Sequence, residues 1–158
     1  MRVLPPKFDD WFATKGWSIH PHQVEMLERS DEPSLLLIAP TGGGKTLAGF
    51  LPTLVELADG GHAGLHTLYV SPLKALAADI KRNLGTPITE MALPIRVEDR
   101  TGDTSYTQKR RQRADPPHIL LTTPESLALL ISYEDAPRIF AGLQRVIVDE
   151  IHALAESK

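Results

Sequence analysis

The chain has 158 residues, 42% hydrophobic and 23% charged, a globular composition that excludes wholesale disorder and fibrous classes and can bury a core without covalent staples. Cysteine is absent, which excludes a disulfide scaffold, a cysteine zinc site, an iron–sulfur cluster and a thiol nucleophile, and fits a reducing, cytoplasmic compartment. Lys plus Arg is 17 against 20 for Asp plus Glu, so the net charge of −3 points to no nucleic-acid partner; no apolar run reaches membrane-span length, and Met1 to Trp11 holds no apolar signal core.

In chain order, Ser34 to Ala39 (SLLLIA) reads as a buried strand. Residues 45–58 then place Leu47, Phe50, Leu51, Leu54, Val55 and Ala58 on one helical stripe. Pro52 should kink or bound that helix, and Gly60-Gly61 should end the unit. Leu65 to Val70 is a second strand, followed over 72–84 by a helix with Leu73, Ala77, Ile80 and Leu84 on one face. Pro94 to Val97 reads as a short strand and Thr104 to Arg113 as a polar helix. After the Asp115-Pro116-Pro117 loop come a strand at His118 to Thr122, a helix at Pro124 to Ser132 with proline in its first turn, and a last strand at Leu143 to Val148. The alternation predicts an α/β fold, a parallel sheet with helices on both faces, whose ligands bind at the carboxyl ends of the strands.

Two motifs sit at such ends. Ala39-Pro-Thr-Gly-Gly-Gly-Lys-Thr46 lies between a predicted strand and a predicted helix, the context of a P-loop. Thr41, Gly42, Gly43 and Gly44 let backbone N–H groups curl around phosphates, Lys45 reaches the β- and γ-phosphates, and the Thr46 hydroxyl suits Mg²⁺. Ala39 replaces the usual first glycine, tolerable where no positive φ is needed. Val146 to Glu150 is an apolar strand ending in two acids: Asp149 is placed to hold Mg²⁺ and Glu150 to activate water.

With the next two residues the second motif reads Asp149-Glu150-Ile151-His152, which resembles motif II of the superfamily 2 DEAD/DEAH (DEXH) box helicases, as the P-loop resembles their motif I. Ser71-Pro-Leu-Lys-Ala-Leu76 resembles motif Ia, Arg100-Thr-Gly-Asp-Thr104 the short glycine-containing motif that follows, Thr122-Thr-Pro-Glu125 the Thr-Pro-Glu motif, and Gly16-Trp-Ser-Ile-His-Pro-His-Gln23 the Gln motif. The texture is similar to Lhr-type helicases, closest to the bacterial ligase-associated branch. The resemblance implies a RecA-like P-loop NTPase domain over 31–158, preceded by a Gln-motif segment over 1–30. It also implies ATP and Mg²⁺ as cofactors and an ATP-dependent helicase or translocase, moving 3′-to-5′ on nucleic acid, DNA rather than RNA, in DNA repair. A DNA ligase and a nuclease are partners by the same association. Gln23 would read adenine, with Phe8, Phe12 or Trp17 stacking on it, Trp17 being the one best read as core. His152 would couple the nucleotide site to the nucleic-acid site. Ser71, Pro72, Lys74, Arg100, Thr101, Gly102, Thr123, Pro124 and Glu125 would line one strand of nucleic acid.

Blander readings stand beside these. Lys109-Arg-Arg-Gln-Arg113 reads as a solvated helix face before it reads as a duplex contact. Thr122-Thr-Pro is also an ordinary hydroxyl-capped strand-to-helix turn. A different P-loop ATPase, or a nucleic-acid-binding module without turnover, would share part of the pattern. The chain stops at Lys158, before any motif III strand and any second RecA-like domain, so it is expected to be truncated after motif II and to hydrolyse ATP poorly alone.

Overall fold

The computed structural model describes residues 4–39 and 44–156. Its strands are β1 (Thr67–Val70), β2 (Val97–Arg100), β3 (Ile119–Thr122) and β4 (Arg145–Val148), joined in one parallel sheet in the order β2-β3-β1-β4. Every residue of β1 and β3 is buried, as the apolar runs require of central strands. Tyr69 sits opposite Leu121 on one side and Ile147 on the other. The edge strands differ: Val97-Glu-Asp-Arg alternates in burial, and β4 leaves Val146 and Val148 exposed.

The helices are α1 (Pro6–Lys15), α2 (Pro21–Glu28), α3 (Lys45–Leu57), α4 (Lys74–Glu90), α5 (Tyr106–Ala114), α6 (Pro124–Ile131), α7 (Ala136–Ile139) and α8 (Ile151–Glu156). The chain divides into two compact units, Met1–Gly60 with Thr86–Pro94, and Gly61–Gly85 with Ile95–Lys158. All four strands belong to the second. Its core joins Leu68 and Val70 of β1 to Leu120 of β3, Leu130 of α6, Ile139 of α7 and Leu65. Ser105 caps α5 by accepting the Gln108 N–H, and Thr123 caps α6 by accepting the Ser126 N–H. Two of the four cations of the basic run on α5 are paired. Arg111 meets Glu98, Arg113 meets Asp135 at 3.0 Å, and the Arg113 guanidinium lies 3.7 Å from the centre of the Tyr133 ring.

The first unit is helical. Phe8, Trp11 and Phe12 of α1 are buried, α2 packs on α3, and Ala48, Phe50, Leu51, Leu54 and Leu57 form the buried side of α3. Glu90 takes the Trp11 indole N–H and the Lys15 ammonium, each at 2.6 Å. Those two partners, Lys15 first, hold its carboxyl below the ordinary range.

Four expectations are corrected here. Ser34–Ala39 is irregular rather than a buried strand, with Leu36 73% and Ile38 85% exposed. A strand exists through its ladder, and no ladder is formed by the described residues of the first unit. The short strand falls at Val97–Arg100, three residues later than Pro94–Val97, because its alternating polar pattern suits a sheet edge. Helix α3 runs through Pro52, and α4 continues past Leu84, through Pro87, to Glu90. Buried faces hold both helices across the lost donors.

Candidate functional site

In the first unit the end of the P-loop is tied to the Gln motif. Gln23 occupies the third position of α2 and is 2% exposed. Its Oε1 accepts the His20 N–H at 2.9 Å, closing a capping box, and its Nε2 donates to the Gly44 carbonyl at 3.3 Å. Gly44 sits at φ +73°, and a Cβ there would come within 2.6 Å of Gln23 Nε2. The loop therefore needs glycine for its backbone and for the room that Gln23 takes. Lys45 and Thr46 follow as the first two residues of α3, half-buried. Thr41, Gly42 and Gly43 lie outside the described residues. Each end of the Gln23 amide makes one bond within the protein, which leaves one N–H and one oxygen lone pair for a further partner. Of the three aromatics considered for stacking, Phe8 and Phe12 are buried, while Trp17, expected in the core, is 54% exposed. Gly16, left-handed at φ +69°, ends α1 and leaves Trp17 edge-on against Trp11 at 5.5 Å between ring centres.

In the second unit the acids stand at the carboxyl end of β4. The Asp149 N–H donates to the Val70 carbonyl at 3.0 Å and so extends the ladder one step. Both carboxylate oxygens of Asp149 are held: Oδ1 accepts the Glu150 N–H at 2.9 Å and Oδ2 accepts the Tyr69 phenol at 2.8 Å. Burial, and then the Asp149 carboxylate, push the Tyr69 phenol far above its ordinary value, so it is a neutral donor. Glu150 adopts φ +55°, a left-handed conformation unusual for a residue with a side chain. Its Oε2 lies 2.9 Å from Nε2 of the exposed His152. Asp149 offers hard oxygens, the donor type Mg²⁺ prefers. Among the described residues no group of three or more His, Cys, Asp or Glu could hold a metal.

The expected nucleic-acid residues divide by exposure. Ser71, Arg100, Thr101 and Thr123 are buried, at 1%, 2%, 5% and 6% exposure. The Arg100 guanidinium donates to the Lys109 carbonyl at 3.0 Å and to Gln112 Oε1 at 3.3 Å, and is spent inside the fold. Thr101 braces its own turn, accepting the Asp103 N–H through its hydroxyl. Thr123 is the α6 cap of the plainer reading, with Pro124 behind it. Lys74 and Glu125 are exposed and Pro72 and Pro124 half-buried, while Gly102 lies on the surface of its turn. The Lys74 ammonium meets Asp103 at 3.0 Å.

A family model of DEAD/DEAH box helicases matches residues 20–158. The chain belongs to the DEAD/DEAH box helicase family. It is 41% identical to ATP-dependent helicase Lhr-Core protein 2 of Thermococcus barophilus over 99% of the chain, and 44% identical to the Lhr helicase/probable uracil glycosylase of Mycolicibacterium smegmatis over 94%. It spans only 20% and 11% of the length of those relatives. Mycobacterium smegmatis helicase Lhr, solved bound to ssDNA and AMP-PNP, is similar with a TM-score of 0.85 and 43% identity, over 95% of this chain and 20% of that one. The fold is thus the RecA-like parallel sheet of DEAD/DEAH box helicases, present in part. In this helicase domain sequence reasoning missed Tyr69, read only as an apolar strand residue. The one available signal was its hydroxyl: a buried central strand has no use for one unless a partner lies within reach.

Proposed function

We propose that this chain is part of the first motor domain of an Lhr-type, ATP-dependent DNA helicase. The observation that carries the proposal is the fixed acid pair: Asp149 held by two donors at the end of β4, followed at once by Glu150. The P-loop N–H groups from Thr41 to Gly44 and the Lys45 ammonium bind the β- and γ-phosphates, and Gln23 reads the adenine. Thr46 and Asp149 would each serve as a ligand for Mg²⁺, which would supply charge neutralisation at the phosphates. Glu150 orients the attacking water and takes its proton, and His152, beside Glu150, links that event to the nucleic-acid track. On that track Lys74, Pro72, Gly102, Pro124 and Glu125 offer a cation, surface and helix first turns to one strand, without base readout. Ser71, Arg100, Thr101 and Thr123 shape the turns that present them. Movement in the 3′-to-5′ direction, a role in DNA repair, and association with a ligase and nuclease belong to the whole protein and rest on the family resemblance. In this reading an arginine from elsewhere in the whole protein would stabilise the transition state, a contribution of about 10³ to 10⁵ in rate.

The test is ATP and single-stranded DNA binding together with steady-state ATP hydrolysis, in the protein that carries this chain. Lys45→Ala is expected to abolish nucleotide binding. Glu150→Gln is expected to keep it while lowering turnover by about 10²- to 10⁴-fold. DNA binding by the wild type with no nucleotide affinity would replace the motor reading with a binding module.

A further inference from the structure

Tyr69 lies one strand away from Asp149, and the parallel register explains why the two side chains meet. Tyr69 stands opposite Ile147, and residues two apart on a strand share a face, so Asp149 lies one diagonal step further along the face that Tyr69 occupies. A phenol is long enough to cover that step, and its oxygen reaches Asp149 Oδ2 at 2.8 Å. Tyr69 is 1% exposed, so water does not compete for this bond. The other carboxylate oxygen of Asp149 accepts the N–H of Glu150, the next residue, at 2.9 Å.

We propose that Tyr69 is a positioning residue for the carboxylate of Asp149. The proposal rests on the reading of Asp149 as a Mg²⁺ ligand. A carboxylate with one oxygen fixed by a neutral donor presents its remaining lone pairs in one direction, and losing such an outer partner typically lowers metal affinity 10- to 100-fold.

The experiment measures fluorescent ADP affinity with Mg²⁺ and with chelator, in the protein that carries this chain, for wild type and Tyr69→Phe. Phenylalanine keeps the ring in its buried slot and removes only the donor, and a thermal melt confirms that the variant is folded. Tyr69→Phe is expected to leave the chelator affinity within about twofold of wild type and to cut the gain from Mg²⁺ by about tenfold. A wild type that binds no nucleotide, or gains nothing from Mg²⁺, refutes the nucleotide-site reading itself. With that gain present, a folded Tyr69→Phe that retains it in full, or that weakens binding equally with and without Mg²⁺, overturns the positioning role.

Discussion

Gly44→Ala tests the link between Gln23 and the P-loop. Two costs arise, and they can be separated. The backbone at φ +73° is left-handed, which costs a residue with a Cβ about 1–2 kcal/mol. The new methyl would come within 2.6 Å of Gln23 Nε2, so the amide must turn away and give up its bond to the Gly44 carbonyl. That bond is long, at 3.3 Å, and is worth about 0.5–1.5 kcal/mol. The sum, about 1.5–3.5 kcal/mol, corresponds to a melting shift of about 3–14 °C for a chain of this size. Both tryptophans, Trp11 and Trp17, lie in the first unit, so intrinsic fluorescence reads the affected unit alone. In a Gln23→Ala background the methyl finds room and only the backbone cost remains, which leaves a coupling of about 1 kcal/mol between the two positions. Equal costs of Gly44→Ala in both backgrounds, or a cost below about 0.5 kcal/mol in the wild type, would refute this reasoning.

Two further predictions concern charges. Lys74→Ala is expected to weaken single-stranded DNA binding and to lower the slope of log affinity against log salt by about 0.7, the loss of one phosphate contact. Asp103→Asn, which frees the Lys74 ammonium, should strengthen binding; an unchanged salt slope in Lys74→Ala would remove Lys74 from the track. The second concerns acid stability. Because Lys15 and Trp11 lower the Glu90 value in the folded protein, this carboxylate stabilises above its ordinary value of 4.5 and ceases to do so as pH falls through the lowered one. Glu90→Gln should therefore melt lower than wild type at neutral pH, with a difference that shrinks in acid, as thermal melts along a pH series would show.

Where burial follows simple periodicity, the fold was legible. The stripe from Leu47 to Val55 is helix α3, and the runs around Leu68, Leu120 and Ile147 are parallel strands, the first two central and the last at the edge of the sheet. What escaped depends on long-range partners. Ser34–Ala39 has the composition of a buried strand, yet a ladder is a property of two segments and cannot be read from one. Pro52 and Pro87 look like helix ends locally, and packing overrides them. The place of the acids at the carboxyl end of β4 was legible, because an apolar run followed by Asp-Glu reads as a strand and its polar end. The burial of Arg100 and Ser71 was not, since a motif shows which residues recur together and says nothing about which of them face solvent.

The left-handed backbone of Glu150 has an evolutionary consequence. Selection for stability alone would place glycine there, since glycine adopts φ +55° without the penalty a side chain incurs. A Glu150→Gly protein should melt no lower than its parent, and up to about 1 kcal/mol higher in stability, while losing the base proposed above. On that proposal, a screen for thermostable variants would favour a protein that no longer hydrolyses ATP. Persistence of glutamate at that position would record selection for turnover at the expense of robustness.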